Sequence, residues 1–143
     1  MKIAFDIDGT LADCTHRRHF VESKPKDWDA FFAACIDDMP ILVAIEMLDA
    51  LDRVGWHSIA FFTGRPERTR VATEAWLLKH CGTSAASNVI YMRENGDRRD
   101  DSIVKAEFLR YFVPDLIFDD RKRVVDMWRA QGIICYQVAP GDF

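Results

Sequence analysis

The sequence predicts an α/β fold in which a parallel sheet is covered by helices on both faces. Two observations lead to this expectation. Short apolar runs alternate along the chain with longer segments in which apolar residues recur at helical spacing. The short runs are predominantly apolar, which is typical of parallel strands that are buried on both faces. Such sheets bind ligands beyond the carboxyl ends of their strands, so the functional site is expected there.

The first half of the chain supplies two strands and two helices. The apolar run 3–7 predicts the first strand. A helix is predicted over 40–54, which begins with a proline, repeats apolar residues at helical spacing and is followed by a glycine. The run 58–62 predicts the second strand, and 66–82 predicts a helix that begins at a proline and ends at a glycine.

The second half of the chain continues the alternation. Apolar runs at 89–92, 116–118 and 133–138 predict three more strands. Helices are predicted between them, at 102–112, where a proline follows, and at 121–131, where a glycine follows.

Residues 12–39 do not fit the alternation. They contain polar and aromatic residues, with one helix predicted around 26–37. We interpret them as a small insertion after the first strand that covers the site. The whole chain, 1–143, is expected to form one domain, because this length suits a single hydrophobic core.

The composition excludes several classes of protein. The chain is 49% hydrophobic and its formal net charge is −4. It is therefore not expected to be disordered, nor to coat duplex nucleic acid by bulk charge. No apolar run approaches ~20 residues, so no membrane span is predicted. An aspartate interrupts the first apolar run, which makes a poor secretory signal, and we expect a cytoplasmic protein.

The four cysteines are spread along the chain and form no CxxC pair. They are Cys14, Cys35, Cys81 and Cys135. This spacing predicts free thiols in a reducing compartment rather than a zinc site or a redox-active dithiol.

Polar residues follow three of the predicted strands. Asp6 and Asp8 end the first, Thr63-Gly64-Arg65 follows the second, and Asp119-Asp120 follows the fourth. Because the ends of parallel strands converge, four carboxylates are expected in one crevice. They repel one another strongly in a low dielectric, so either several are protonated or a cation lies among them. Oxygen ligands with no histidine or cysteine nearby favour Mg²⁺.

These carboxylates also have purely structural interpretations. Asp120 is placed to cap the helix that follows it. Asp6 and Asp8 are compatible with a turn in which Gly9 completes the reversal. Asp6 fits a structural role least well, because it interrupts an apolar strand and burying an unpaired carboxylate is costly.

Lys105 provides independent evidence for an anionic site. It is predicted in the first turn of its helix, where a cation opposes the helix dipole at a cost of ~0.3–1 kcal/mol. A nearby anion would explain that placement, and a solvated surface lysine is the structural alternative. A metal, a carboxylate nucleophile, the Thr63 hydroxyl and this lysine together suggest phosphoryl transfer. Asp8 would then protonate the leaving alkoxide and deprotonate the attacking water.

The same residues resemble the four motifs of the haloacid dehalogenase (HAD) phosphatase superfamily. Residues 6–11, DIDGTL, are similar to its first motif, DxDGT. Thr63 resembles the second motif, Lys105 the third and Asp119-Asp120 the fourth. The resemblance implies a HAD-like Rossmannoid three-layer fold, with a central, mainly parallel five-stranded sheet and a small cap insertion after the first strand.

Two segments resemble, more closely, the 3′-phosphatase domain of bacteriophage polynucleotide kinase–phosphatase. They are 95–101, NGDRRDD, and 124–143, VVDMWRAQGIICYQVAPGDF. This resemblance covers most of the chain and is weak across the insertion. It implies a Mg²⁺-dependent polynucleotide 3′-phosphatase that removes terminal 3′-phosphates from DNA or RNA through an aspartyl-phosphate intermediate.

The resemblance also implies roles for individual residues. Asp6 is implied to be the nucleophile and Asp8 the general acid–base. Thr63 and Lys105 are implied to bind the phosphoryl group. The implied metal ligands are Asp6, Asp119 and the backbone carbonyl of Asp8, with Asp120 supporting them.

Three additional positions are implied by the resemblance to be essential. They are Arg17, Arg65 and Asp101. Arg65 follows directly from the Thr63-Gly64-Arg65 motif. Arg17 rests on its spacing after the first motif, and the neighbouring Arg18 is an alternative. Asp101 is placed by its spacing before Lys105 and is expected to bind substrate or to orient Lys105 or an arginine.

The bacteriophage enzyme also carries a kinase domain with a P-loop. No GxxxxGK[ST] segment occurs in the 143 residues. The expectation is therefore a stand-alone phosphatase, or a separated domain, without 5′-kinase activity.

Basic and aromatic residues suggest how a substrate is held. Basic residues cluster at 16–19, 65–70 and 93–99, near the predicted crevice, and suit the phosphates of a nucleotide or a strand end. Three aromatic residues of the insertion have two possible roles: they stack on a base of the substrate, or they pack the insertion against the core. They are Trp28, Phe31 and Phe32. The other tryptophans, Trp56, Trp76 and Trp128, are predicted in the core.

Two other functions remain open. A HAD phosphatase of free nucleotides or other small phosphoesters would use the same chemistry, although a short insertion favours an open crevice and a polymer end. A non-enzymatic, receiver-like phospho-acceptor also combines aspartates, threonine and lysine on a parallel sheet. In that case Asp8, two residues beyond the acceptor, would have no catalytic role to fill.

Overall fold

The computed structural model describes residues 1–141, without the side chains of residues 83–86; residues 142–143 lie outside the described part. Seven strands lie in this part: β1 (Lys2–Phe5), β2 (Ala12–Asp13), β3 (Met39–Pro40), β4 (Ser58–Pro66), β5 (Val89–Arg93), β6 (Leu116–Asp119) and β7 (Ile134–Gln137). Six α-helices accompany them: α1 (His19–Glu22), α2 (Trp28–Ala33), α3 (Leu42–Arg53), α4 (Arg70–Ala86), α5 (Asp101–Glu107) and α6 (Lys122–Ala130).

Five strands form one sheet in the order β5-β4-β1-β6-β7, and its four pairings are all parallel. This confirms the predicted α/β fold with a parallel five-stranded sheet. The chain begins in the central strand, continues outward to β4 and β5, and then crosses to β6 and β7 on the other side. The strand order therefore reverses at β1, and ligands bind at the carboxyl end of such a switch point.

The two faces of the sheet bury separate apolar clusters. On one face, Phe5 of β1 packs with Leu48 of α3 and Trp76 of α4. On the other, Ala4 packs with Trp128 of α6, because successive strand residues point to opposite faces. The predicted burial of Trp76 and Trp128 is confirmed. The prediction for Trp56 is wrong, since it lies just before β4 and is 79% exposed.

The element boundaries differ from the prediction where the chain leaves the sheet. β4 continues through Thr63-Gly64-Arg65 to Pro66, with a register shift against β5 after Phe62. The motif is therefore inside the sheet rather than in a loop after it, and Thr63 and Arg65 are fully buried. The helix predicted from Pro66 starts instead with a 3₁₀ turn, because Pro66 has extended backbone angles.

The segment interpreted as an insertion is closed at its base by the antiparallel pair β2 and β3. Its helix predicted around 26–37 is α2 followed by a 3₁₀ turn. The insertion has an apolar cluster of its own, made of Cys14, Val21 and Phe31. This cluster gives the insertion a fixed shape above the sheet.

The four cysteines are free, as predicted. Burial raises the pKa of the Cys14 thiol to about 11 and those of Cys81 and Cys135 to about 12. Among the described residues, no helix has the length and apolar character that crossing a membrane requires.

Candidate active site

A cavity of about 1030 Å³ lies at the carboxyl end of the sheet, where β1 and β6 meet. Asp6, Asp8, Asp120 and Lys105 contribute to its wall. The insertion, the carboxyl ends of β4 and β5 with the segments that follow them, and the starts of α5 and α6 supply the rest. The cavity is thus at the position predicted from the strand order.

Three carboxylates form an acidic triad at the bottom of this cavity: Asp6, Asp119 and Asp120. One oxygen atom of each lies within 4.8 Å of the others, and all three residues are buried. The parallel pairing of β1 with β6 brings them together, because Phe5 lies opposite Phe118 and the aspartates follow. The predicted convergence of the strand ends is confirmed for these three.

Lys105 of α5 is buried beside the triad. Its Nζ lies 2.9 Å from Asp6 Oδ1 and 3.0 Å from Asp119 Oδ2. Burial lowers the pKa of this lysine, but the attraction of Asp119 and Asp6 outweighs burial and raises it above its usual value. Since α5 begins at Asp101, Lys105 lies in the last turn of this helix, and the prediction of a first-turn position is wrong. The predicted anions are nevertheless beside it, and the alternative of a solvated surface lysine is excluded.

One lysine does not neutralise three buried carboxylates. Burial and the neighbouring carboxylates raise the pKa of Asp6, despite the opposing attraction of Lys105. Burial, together with the charge of Asp119, raises the pKa of Asp120 to about 6. The triad therefore has a deficit of positive charge.

Asp120 carries the clearest sign of a missing partner. Its Oδ2 is buried and has no hydrogen-bond partner among the described residues. A Cβ atom at Gly9 or Gly141 would overlap this side chain, so the two glycines leave just enough room for it. Arg121, and not Asp120, occupies the N-cap position of α6, so the interpretation of Asp120 as a helix cap is wrong. An orphaned carboxylate oxygen beside two other carboxylates is a donor set that fits a hard divalent cation.

Asp8 lies in a different environment, which we call the arginine clamp: Asp8, Arg17, Arg65 and Asp38. Asp8 Oδ1 accepts hydrogen bonds from Nη2 of Arg17 at 2.7 Å and Nη2 of Arg65 at 2.6 Å. Both guanidinium groups also donate to Asp38 Oδ2, at 2.6 and 2.8 Å. Burial raises the pKa of Asp8, but Arg65 and Arg17 outweigh burial and hold it well below its usual range.

Asp38 is a component of the site that the sequence did not reveal. It is buried at the end of the insertion, and its backbone oxygen accepts a hydrogen bond from Trp76 Nε1 at 2.7 Å. His16 Nε2 lies 2.8 Å from its Oδ1. An acidic residue before Met39-Pro40 has no distinctive pattern, and the family resemblance is weakest in this segment. One signal could have pointed to Asp38: if Arg17 and Arg65 are both buried, a single carboxylate does not balance their charges, so a second carboxylate is expected beside them.

The predicted phosphate-binding residues fall into two groups. Lys105 lines the cavity, whereas Arg17 and Arg65 are fully buried within the clamp. Thr63 is also buried, and its hydroxyl oxygen accepts the backbone N–H of Arg65 at 3.2 Å. Of the two candidates in the insertion, Arg17 rather than Arg18 reaches Asp8. The substrate contacts of Thr63, Arg17 and Arg65 stay predictions.

Asp101 orients arginines rather than Lys105. Its Oδ2 accepts a hydrogen bond from Arg121 Nη1 at 2.6 Å, and its Oδ1 accepts one from Arg93. Arg93 in turn donates to the backbone oxygen of Gly64 at 3.0 Å. A Cβ atom at Gly64 would overlap Asp101, so the glycine of the Thr63-Gly64-Arg65 motif makes room for this carboxylate.

The chain is similar to known phosphatases over its whole length. Residues 1–143 match the family described as the polynucleotide kinase PNKP phosphatase domain. Two structures of the Pnkp1/Rnl/Hen1 complex, one of them described as an RNA repair complex, align over 99% of this chain. Their TM-scores are 0.77 and 0.78, and their sequence identities are 27% and 28%. The chain spans only 43% and 46% of those relatives.

A third structure supports the fold. A class C acid phosphatase from Bacillus anthracis, with tungstate bound, aligns at a TM-score of 0.68 over 99% of this chain and 67% of its own. Its sequence identity is 16%. This likeness therefore concerns the fold alone.

Proposed function

Because the chain belongs to the family of polynucleotide kinase PNKP phosphatase domains and is a HAD-type phosphomonoesterase, we propose that it removes terminal 3′-phosphates from DNA or RNA strands. The observation that carries the proposal is the pairing of two unlike aspartates in one cavity. Asp6 lies among carboxylates beside Lys105, while Asp8 lies among arginines. This arrangement suits a nucleophile and a separate proton carrier.

In the first step, an oxygen of Asp6 attacks the phosphorus atom of the terminal phosphate. The new bond joins this oxygen to phosphorus, and the bond between phosphorus and O3′ of the strand breaks. Lys105 holds positive charge beside Asp6, where the phosphoryl oxygens gather negative charge. The step yields an aspartyl phosphate and a strand with a free 3′-hydroxyl.

The leaving O3′ needs a proton, and Asp8 is the group placed to supply it. Without substrate, the arginine clamp keeps Asp8 as a carboxylate. A phosphomonoester loses its second proton near pH 6, so the substrate can bring the required proton as its monoanion. The phosphate monoanion gives its proton to the Asp8 carboxylate, and Asp8 passes this proton to O3′ as the bond to phosphorus breaks, which returns Asp8 to the carboxylate form.

In the second step, a water molecule attacks the phosphorus of the aspartyl phosphate. Asp8, again a carboxylate, takes a proton from that water. The bond between Asp6 and phosphorus breaks, which releases inorganic phosphate and restores Asp6. The low pKa of Asp8 thus matches the resting state that the second step requires.

The proposal includes Mg²⁺ as the cofactor. Asp6, Asp119 and Asp120, with the backbone carbonyl of Asp8, are the groups that would hold it. When bound, Mg²⁺ neutralises phosphoryl oxygens and offsets the repulsion within the triad. We further propose that these 143 residues have no 5′-kinase activity, because they contain no P-loop sequence.

A substrate panel tests the function. A 3′-phosphorylated DNA or RNA oligonucleotide should have the highest kcat/KM, above a 3′-mononucleotide and p-nitrophenyl phosphate, and chelation of Mg²⁺ should stop all three reactions. Equal or faster turnover of the mononucleotide would instead identify a phosphatase of small phosphoesters. A single turnover that ends in a long-lived phospho-aspartate would identify a phospho-acceptor module.

A further inference from the structure

The insertion places aromatic residues of α2 in two unlike positions. Phe31 is buried in the insertion's apolar cluster, with its ring centroid 4.1 Å from the Arg17 guanidinium carbon. All three aromatic residues line the catalytic cavity, but Phe31 is only 3% exposed, whereas Trp28 is 40% exposed. The packing interpretation therefore fits Phe31, while the mechanism so far leaves Trp28 without a role.

Several contacts fix Trp28 at the cavity wall. Its ring stacks on that of Phe32, with centroids 5.8 Å apart and planes 26° from parallel. Phe31 packs edge-on against it, at 5.6 Å. Asp27 caps α2 by accepting the backbone N–H of Ala30 at 2.8 Å. A large flat ring is thus held in place while keeping a substantial part of its surface open, an arrangement that needs little ordering when a planar ligand binds.

Basic residues lie near this ring, although acidic residues also line the cavity and pair with several of them. Lys26 Nζ lies 5.4 Å from the Trp28 centroid. Four arginines line the same cavity from the segments after β4 and β5 and from the start of α6. They are Arg68, Arg98, Arg99 and Arg123. Arg68 pairs with Asp29, which joins α2 to the turn after β4. An aromatic surface among basic residues suits a nucleobase that is flanked by phosphates.

We propose that Trp28, supported by Phe32, stacks on the base of the 3′-terminal nucleotide while its phosphate lies at Asp6. Lys26 then binds the next phosphate of the strand. The substrate class is therefore a strand end of at least two nucleotides whose 3′-terminal base is free to stack on Trp28. This inference rests on the proposed 3′-phosphatase function and specifies which strand ends that function accepts.

Removing the base from the substrate tests the inference without altering the protein. We compare kcat/KM for an oligonucleotide ending in a normal 3′-phosphorylated nucleotide with one ending in a 3′-phosphorylated abasic sugar. Stacking of one base should make the normal end about 5- to 150-fold better. The preference should shrink to less than about twofold in Trp28→Ala and should largely return in Trp28→Phe.

Trp56→Ala is the matched control. Trp56 is 79% exposed, precedes β4 at the opposite end of the strands, and is absent from the cavity wall. This variant should keep the wild-type preference for the normal end and the wild-type turnover of p-nitrophenyl phosphate.

The outcomes separate the inference from the function on which it rests. Wild-type enzyme that cleaves both oligonucleotides equally well overturns the stacking role and leaves the 3′-phosphatase intact. The stacking role is also overturned if Trp28→Ala keeps the full wild-type preference for the normal end over the abasic end. Wild-type enzyme that hydrolyses p-nitrophenyl phosphate but neither oligonucleotide overturns the proposed function itself. If Trp28→Ala does not fold, the abasic comparison in the wild type and Trp28→Phe still decides the matter.

Discussion

Asp6 and Asp8 are two residues apart in the sequence but lie in opposite electrostatic environments. Asp6 belongs to the acidic triad, where burial and other carboxylates raise its pKa. Asp8 belongs to the arginine clamp, where Arg65 and Arg17 overcome the effect of burial and lower its pKa. One short motif thus supplies two carboxylates with different tendencies to hold a proton.

The two environments also come from different parts of the fold. The triad and Lys105 are supplied by β1, β6 and α5, so the sheet and its covering helix build them without the insertion. The clamp takes Arg17 and Asp38 from the insertion and Arg65 from β4. The comparison teaches that the sheet and α5 form the proposed site for the nucleophile and the metal, while Arg65 of β4 and the docked insertion together set the charge state of the proposed proton carrier.

The largest expected effect comes from removing the proposed nucleophile, Asp6. Asp6→Asn should lower phosphate release by about 10⁴-fold or more, because an amide is a poor nucleophile and the other groups act through Asp6. The measurement is release of inorganic phosphate from a 3′-phosphorylated oligonucleotide. Asp126→Asn, in a surface pair with Lys122, is the matched control and should remain fully active. A fully active Asp6→Asn enzyme would exclude the covalent mechanism.

A smaller loss is expected when the triad loses its cation. Lys105→Met should lower kcat by about 10²–10³-fold, since it removes a fixed positive charge beside the reacting group. It should also reduce the free energy of unfolding by about 3–5 kcal/mol, because two buried carboxylates lose their partner. Steady-state kinetics and urea unfolding measure the two effects. Lys122→Met, at an exposed lysine, should change neither, and a Lys105→Met protein as active as the wild type would contradict this role.

A substitution in the acidic triad should weaken metal binding, whereas a substitution in the arginine clamp should not. Asp119→Asn should weaken Mg²⁺ binding by about 100-fold or more, since even residues that only support a ligand contribute about 10- to 100-fold. Asp38→Asn should leave Mg²⁺ affinity within a fewfold of the wild type and should slow turnover, because it loosens the arginines that hold Asp8. Calorimetric titration with Mg²⁺ measures the affinities. Equal losses in the two variants would mean that the two environments are not independent.

The smallest effect concerns the space left for Asp120. Gly9→Ala and Gly132→Ala both place a side chain at positive φ, at +82° and +79°. The Cβ at residue 9 would overlap Asp120, whereas the Cβ at residue 132 would meet nothing within 4 Å in the described part of the chain. Both should lose about 1 kcal/mol or more from backbone strain, and Gly9→Ala should lose a further ~1–3 kcal/mol from the overlap.

Thermal unfolding and Mg²⁺ titration compare these two glycine variants. Gly9→Ala should also bind Mg²⁺ more weakly, because Asp120 is displaced, whereas Gly132→Ala should bind as the wild type does. Equal stability and equal affinity in both variants would show that Asp120 has room to move.

The sequence predicted the sheet, the position of the site and the presence of an anion near Lys105. Those predictions succeeded because strand polarity alone brings Asp6 and Asp119 to one edge, and because a carboxylate buried in an apolar strand is costly unless a cation lies beside it. Asp38 and the continuation of β4 through Arg65 were missed. Asp38 reaches the site through the packing of the insertion against the sheet, which leaves no periodic pattern in the sequence. The extension of β4 accompanies its pairing with β5, where Pro66 lies opposite Arg93, and such a long-range contact is not visible in the local sequence. Trp56 was wrongly placed in the core, since a large apolar residue does not reveal whether another element covers it.

The insertion brings Arg17 and Asp38 to the site as a pair, one positive and one negative. Together they have no net charge, so their combined field falls off with distance much faster than that of a single ion. The field is strong at Asp8, which touches Arg17 directly, and weak farther away. If Arg17 and Asp38 moved outward together, Asp8 would gain proton affinity, because it would lose a guanidinium group that touches it. The pair therefore acts as a short-range dipole that adjusts one carboxyl group, whereas Lys26 of the same insertion contributes separately to the attraction for an anionic strand.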